Sequence, residues 1–392
     1  MSNIDIKSMF SRPFLSEQKL HKCIFLFCIA STGSILQIIG GNWDVTSHLL
    51  LQPETFFTPS HTLLYSGILL LSISAIIAAY LLITNAVIRK DPLSLSFKFL
   101  IIGSAVSIVS GPSDFIWHEV FGVDGFLSPT HLLLITGMLV NSIGTVTGLI
   151  LLSSRLKESV SKNVNRIFLV VGLIALWVNL ITYVYIFSLP ISNGELFNFN
   201  LSPLLESLLA LVFLPLVNSF IILLTISTFK KFGYISLVGI GVIILNSVST
   251  ILPSQELSLF LPYYLLSAVP FIIIDLMIHG KLPFMRKTST VKFRSILAGA
   301  IAGSLFYIIG YPLLPLALGN YLMPLSLSDM EFTTLVDVLP IFVNSFAIVF
   351  PLSLAIGAIV GLISALMYGQ VQVYVKNRLQ ARFRLNDKHS SV

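Results

Sequence analysis

Two stretches of this chain place acids and imidazoles where one apolar segment ends and the next begins. Residues 43 to 61 read WDVTSHLLLQPETFFTPSH, and Asp114 to His131 read DFIWHEVFGVDGFLSPTH. In each, an aspartate stands four residues before a histidine: Asp44 before His48, and Asp114 before His118. On a helix such a pair shares one face, one turn apart. A second histidine follows, His61 in Thr-Pro-Ser-His and His131 in Ser-Pro-Thr-His. A hydroxyl residue ahead of proline reads as an N-cap with proline at the first helical position, so each second histidine falls in the first turn of a new helix. Two helices joined by a short turn bring the end of one beside the start of the next, where one carboxylate and two imidazoles converge.

That donor set suits a borderline transition metal and leaves a coordination position open; copper, zinc and iron all accept it. Polar groups at membrane depth are costly unless paired or metal-bound, which makes them a functional hypothesis by default. The competing reading is a hydrogen-bonded Asp–His pair on each helix. Against it, four of the seven histidines fall in these two blocks at identical spacing, each pair with its aspartate. His21 and His389 lie in polar segments and read as solvated. Asp275 and His279 are also four apart, with no third partner in sequence, and read as a structural pair facing the bundle.

The elements that must position these residues are membrane helices. Of 392 residues 55% are hydrophobic and only 10% charged, and the mean hydropathy is +0.93. Apolar runs of about 20 residues recur along the chain, the length a helix needs to cross a bilayer; the short alternating strands of a barrel are missing from the pattern. Ten spans are expected, at 22–43, 60–86, 98–116, 130–153, 167–189, 203–228, 233–252, 258–279, 295–318 and 338–369. Pro340, Pro351 and Gly357 offer the last a place to bend, as Pro312 and Pro315 do the ninth. If the N-terminus is cytoplasmic and the spans alternate, all 23 Lys and Arg fall in cytoplasmic segments. That asymmetry predicts an even span count in the cell membrane, both termini inside and both motifs near the outer face. It also accounts for the net charge of +6 as topology rather than nucleic-acid binding. No removable signal peptide is read at the N-terminus. Cys23 and Cys28, five apart on one helix, point apart and are not expected to pair. Loops near 190–202 and 319–337 carry Glu195, Asp329, Glu331 and Asp337 and could form short interfacial lids.

The two blocks align at an offset of 70: Gly41 with Gly111, Asp44 with Asp114, His48 with His118, Glu54 with Asp124, Phe56 with Phe126, Pro59 with Pro129, His61 with His131 and Gly67 with Gly137. The unit is a helical hairpin duplicated in the same orientation, so the two copies are parallel about an axis along the membrane normal. The expected architecture is an all-α integral membrane protein. It has a cytoplasmic segment (1–21), two hairpin repeats carrying the motif (22–88 and 92–158), a six-helix membrane region (165–370) and a basic cytoplasmic tail (371–392).

The pattern Asp, three residues, His, twelve residues, His, with Phe-Thr-Pro-Ser before the second His, resembles the C subunit of the copper membrane monooxygenases, the particulate methane and ammonia monooxygenases. The match comprises Asp44, His48 and His61 with the run Thr55 to His61, then Tyr65 and Gly67; the second block keeps Asp114, His118 and His131 with Trp117 and Asp124. The resemblance implies copper on these side chains within the membrane domain and, by extension, partner monooxygenase subunits. It covers about 30 residues per block. The family's C subunit carries the motif once, this chain twice, and residues 165–392 hold no further block. Two metals, or one shared, could sit on the six side chains. Glu54 and Glu119 are candidate additional or supporting ligands, Glu119 ranking low because it points elsewhere on its helix.

Four functions use such a site. In the first, an oxidoreductase or a subunit of one activates oxygen at copper beside a small apolar substrate, with Trp43, Phe56, Phe57, Phe115, Trp117 and Phe126 nearby. In the second, a non-catalytic copper binding or assembly factor uses the same ligands, although outer segments rich in Met or Cys are missing. The third is a zinc-dependent intramembrane hydrolase with Glu54, Asp124 or Glu119 as base. Haem ranks last, since it does not call for an aspartate before each histidine. Glu206, Asn218 and Asn246 in the C-terminal spans read as helix-packing groups.

Overall fold

The computed structural model describes residues 15–50, 52–53, 55–122, 126–156, 160–189, 199, 201–282, 291–311, 347, 351–352, 354–367 and 370, and every regular element among them is helical. In chain order these are α1 (Glu17–Leu49), α2 (Pro59–Thr84), the short α3 (Ala86–Lys90), α4 (Leu93–Phe121), α5 (Pro129–Ser153), α6 (Val160–Ser188), α7 (Pro203–Phe229) and α8 (Tyr234–Ile251). A 3₁₀ segment (Gln255–Phe260) leads into α9 (Leu261–Leu266) and α10 (Ala268–Ile278), followed by α11 (Val291–Gly310) and α12 (Leu354–Met367).

Nine of the described segments are long and apolar enough to cross a membrane, counting 255–278 as one. The tenth expected span is described only in part, as α12. Pro312, Pro315, Pro340, most of the expected lid loop at 190–202, all of that at 319–337, and the tail 371–392 lie outside the described residues.

Side-chain exposure on α2 shows what surrounds the bundle. Leu69, Ile73, Ile76, Tyr80 and Ile83, three or four residues apart, form an exposed apolar stripe. Leu64, Ile68, Leu71, Ala75 and Ala78 line the buried face. A helix apolar on both faces has no water-facing side, which fits a helix flanked by protein on one side and hydrocarbon on the other.

The two hairpins are the tightest packed pairs: α1 lies along α2, and α4 along α5. Glycine lets both crossings come close, the first more tightly than the second. A Cβ on Gly67 would stand 2.6 Å from Gly33 O and 2.5 Å from Gln37 N; one on Gly137 would stand 3.1 Å from Gly103 O and 3.0 Å from Ser107 N. Gly33, Gln37 and Gly67 and their counterparts 70 residues on thus make the same close approach. Between hairpins, α2 packs on α4 and α5 on α1.

The remaining helices enclose this unit from one side. α6 packs on α1, α5, α7 and α8. Trp177, buried on α6, donates Nε1–H to Asn218 Oδ1 on α7 at 2.7 Å, so Asn218 is a packing residue, as expected. Asn179 Nδ2 donates to Ser142 Oγ at 2.6 Å, tying α6 to α5. At the opposite end of the second hairpin from its histidines, Arg155 Nη1 reaches Asp91 Oδ1 and Oδ2 at 2.9 and 2.8 Å. This pair clamps the start of α4 to the residues just after α5.

The span expected at 258–279 is present, at 255–278, but it is not one continuous α-helix. Pro270 has no N–H to offer the carbonyl four residues back, Leu266, and the α-helix breaks at Ser267, whose N–H bonds to Tyr264 O instead. Asp275 and His279 form the structural pair expected of them, with His279 Nδ1 3.1 Å from Asp275 Oδ1; the buried Asp275 also accepts hydrogen bonds from the Gly233 and Ser236 backbone N–H groups and the Ser236 hydroxyl, anchoring the otherwise unsatisfied N-terminus of α8. α1 continues past the apolar run that ends at 43, through His48 to Leu49, which puts Asp44 and His48 on one helix as their spacing implies. Cys23 and Cys28, both on α1, are free thiols.

Candidate metal centre

Each half of the site is built from the C-terminal turns of one helix and the first turn of the next. Asp44 and His48 share a face near the end of α1, and Asp114 and His118 near the end of α4; His61 and His131 lie in the first turns of α2 and α5. Pro59 and Pro129 start those helices at the expected positions. Only one of the two expected side-chain caps forms. Ser128 Oγ accepts from His131 N at 3.2 Å, whereas Thr58 Oγ1 turns back and donates to Thr55 O at 3.2 Å.

The six predicted side chains come together as two groups, and all six are buried. Asp44, His48 and His61 form one; Asp114, His118 and His131 form the other. In each, one ligand atom per residue lies within 4.8 Å of the others, and either group could hold a metal ion. In the first, Asp44 Oδ1 is 3.0 Å from His61 Nε2 and 4.0 Å from His48 Nε2. In the second, Asp114 Oδ1 is 3.4 Å from His131 Nε2, and the rings of His118 and His131 have centroids 5.4 Å apart.

The groups meet. The His48 and His118 rings, one from each, lie edge to face with centroids 4.8 Å apart. Deeper in the bundle Gln37 Nε2 donates to Ser107 Oγ at 3.3 Å. Both contacts join residues 70 apart.

Supporting hydrogen bonds differ between the two. His61 Nδ1–H donates to Thr55 O at 2.9 Å, which fixes the ring and directs Nε2 at Asp44. Ser60 Oγ donates to Asp44 Oδ1 at 2.9 Å. In the second group, His131 Nδ1 and Asp114 Oδ1 have no hydrogen-bond partner among the described residues. The hydroxyls there, Ser128 and Thr130, lie 3.2 Å from each other.

The surroundings are apolar but uneven. Phe56, Tyr65 and Phe115 pack around His61, with Phe115 coming from the other hairpin. Trp117 faces away, toward Phe121 and Phe199, and Phe57 is exposed. Glu119 is exposed and turned from the site, as its position on the helix predicts. Glu54 and Asp124 lie outside the described residues. A cavity of about 130 Å³ adjoins the first group, lined by Trp43, Asp44, His48, Gln52, Ser60 and Pro253 among others. Gln52 Nε2 donates to Pro253 O at 3.0 Å, so the loop after α8 forms part of its wall.

The sequence reading includes Thr55 and Ser60 in the motif without giving either a role, and it misses Pro253. Ser60 had a signal, since it stands beside His61 with a hydroxyl residue, Thr130, at the equivalent place. Pro253 had none. No protein-family model, curated protein or solved structure matches this chain.

Proposed function

We propose that this chain is a multi-pass copper protein of the cell membrane, an oxidoreductase or a subunit of one. It acts on a small apolar substrate near the outer face, in the manner of the C subunit of copper membrane monooxygenases. One observation carries the reading: the two Asp-His-His sets, recognised by spacing alone, converge as two buried groups with donor atoms close enough to share an ion. The donors fit copper. Each set offers two imidazoles and one carboxylate, leaves a position open, and includes neither thiol of the chain.

The parallel arrangement of the two hairpins about one axis is part of this proposal. It is supported by contacts between residues 70 apart and by the matched packing of α2 on α4 and α5 on α1. The orientation is supported by the 23 Lys and Arg, all of which fall on one side when the expected spans alternate. Bound copper would supply one-electron chemistry and activation of dioxygen. The chain's own residues would hold the ion, orient it through Thr55 and Ser60, and exclude water with Phe56, Tyr65 and Phe115. The soluble electron-delivering parts that such enzymes need would come from partner subunits.

The test is dialysis of the detergent-purified chain against Cu(II) and Zn(II) together, followed by X-ray absorption at both edges. Copper bound through nitrogen and oxygen alone is the expected result. Zinc retained in preference to copper, or sulfur in the coordination shell, would overturn the copper reading.

A further inference from the structure

We infer that the two groups form a single two-metal centre, and that the group around Asp44 fills before the group around Asp114; this rests on the reading of both groups as metal sites. His48 and His118 occupy equivalent positions of the two hairpins and touch, with ring centroids 4.8 Å apart. Gln37 and Ser107, also equivalent, are hydrogen-bonded. Residues at equivalent positions of two copies meet only where the axis relating the copies passes between them. The axis therefore runs between His48 and His118, with one group on either side of it.

The separation is bounded by the rings. A metal lies about 2 Å from its imidazole nitrogen, so ions on His48 and His118 stand no more than about 11 Å apart whichever nitrogen binds. A dication leaves each group, with its one carboxylate, a net positive charge. Two such charges this close among buried side chains repel, and the second ion binds more weakly than the first.

Order of filling follows from the hydrogen bonds around each group. The first has its tautomer set by Thr55 O and its carboxylate held by Ser60, and it borders the cavity. His131 Nδ1 and Asp114 Oδ1 lack the corresponding bonds among the described residues. Such supporting contacts are typically worth about 10–100-fold in metal affinity.

The experiment is a Cu(II) titration of the full-length, detergent-purified chain, followed by equilibrium dialysis and electron paramagnetic resonance, with His61→Gln and His131→Gln alongside. Two ions per chain are expected, the second about 10–100-fold weaker than the first. The first equivalent gives the spectrum of an isolated ion; the second broadens it and brings in a half-field transition. His131→Gln should keep one ion, at the tighter affinity, with the isolated spectrum at every loading. Two ions of equal affinity whose spectra simply add would overturn the inference. So would a single ion that either substitution removes, although that result leaves the metal reading standing. An absence of bound copper in the unsubstituted chain would overturn both.

Discussion

Replacing Gly67 with alanine should loosen the first hairpin and, with it, the first half of the site. The added Cβ would lie 2.5 Å from Gln37 N, 2.6 Å from Gly33 O and 3.0 Å from Gln37 Cα, all backbone atoms of α1 that cannot swing aside. Restoring ordinary contact requires α1 and α2 to part by about an ångström, a gap that forfeits a quarter to a half of the dispersion energy along the seam. Overpacking of this kind costs about 1–3 kcal/mol. Alanine returns up to about 1 kcal/mol through its better helix propensity. The net expectation is a loss of about 1–2 kcal/mol. Gly137→Ala is the matched control. Its closest neighbour is Ser107 Oγ at 2.6 Å, a hydroxyl that can rotate at the cost of the long bond it accepts from Gln37, and its backbone contacts at 3.0 and 3.1 Å need only a few tenths of an ångström. Strain and propensity then nearly cancel, and its change should stay within about 0.5 kcal/mol. Unfolding in mixed micelles of increasing dodecyl sulfate fraction, followed by tryptophan fluorescence, measures both. Gly67 is six residues, about 9 Å of helix, beyond His61. Parting the helices therefore also pulls His61 from Asp44, and Gly67→Ala should bind copper more weakly while Gly137→Ala does not. Equal stability in the two variants, or an unperturbed Gly67→Ala, would refute the reasoning.

Ser60→Ala should weaken copper binding at the first group by about 10–100-fold in dialysis, because Asp44 loses the hydroxyl that holds it; Thr130→Ala, whose hydroxyl faces Ser128, should change affinity much less. Arg155→Ala leaves the buried Asp91 carboxylate without its charge partner, held only by the Leu93 N–H, and should destabilise the chain by about 3–5 kcal/mol. In the same micelle assay Asp91→Asn/Arg155→Ala should recover much of that loss, and no recovery would mean that the clamp acts through packing. For orientation, Gln52→Cys and Ser154→Cys are introduced separately after replacing Cys23 and Cys28. A membrane-impermeant maleimide should label Gln52→Cys on intact cells and Ser154→Cys only after permeabilisation. The opposite pattern would invert the topology.

The parts of the site legible in the sequence were those encoded by local spacing. Asp44 and His48 share a helix face because they are four apart, and Pro59 and Pro129 mark where the next helices begin. The meeting of His48 with His118 followed from treating the offset of 70 as a spatial relation. The same offset extends back to Gly33 with Gly103 and Gln37 with Ser107, where it was overlooked because glycine and mixed polar positions look unremarkable in an apolar run. The apolar run of α1 ends at Trp43, yet the helix carries its polar ligands on to Leu49, as the Asp44–His48 spacing implies. Pro270 was in plain view, but breaking the helix at Ser267 depends on which carbonyl loses its donor. Contacts across long separations stayed hidden: Pro253 against Gln52, and Asp275 capping α8 from some forty residues away. Local pattern fixes which residues lie on one turn; it carries little about which distant loop completes the wall.

The central claim is that these six side chains hold metal. The most direct measurement is the metal content of the detergent-purified chain, by elemental analysis, beside the His48→Ala/His118→Ala variant, which removes one donor from each group. The account predicts two copper ions per chain, lost in the variant while its helical circular dichroism is retained. A chain that carries no metal even after reconstitution with copper, or a variant that keeps the full complement, would contradict it.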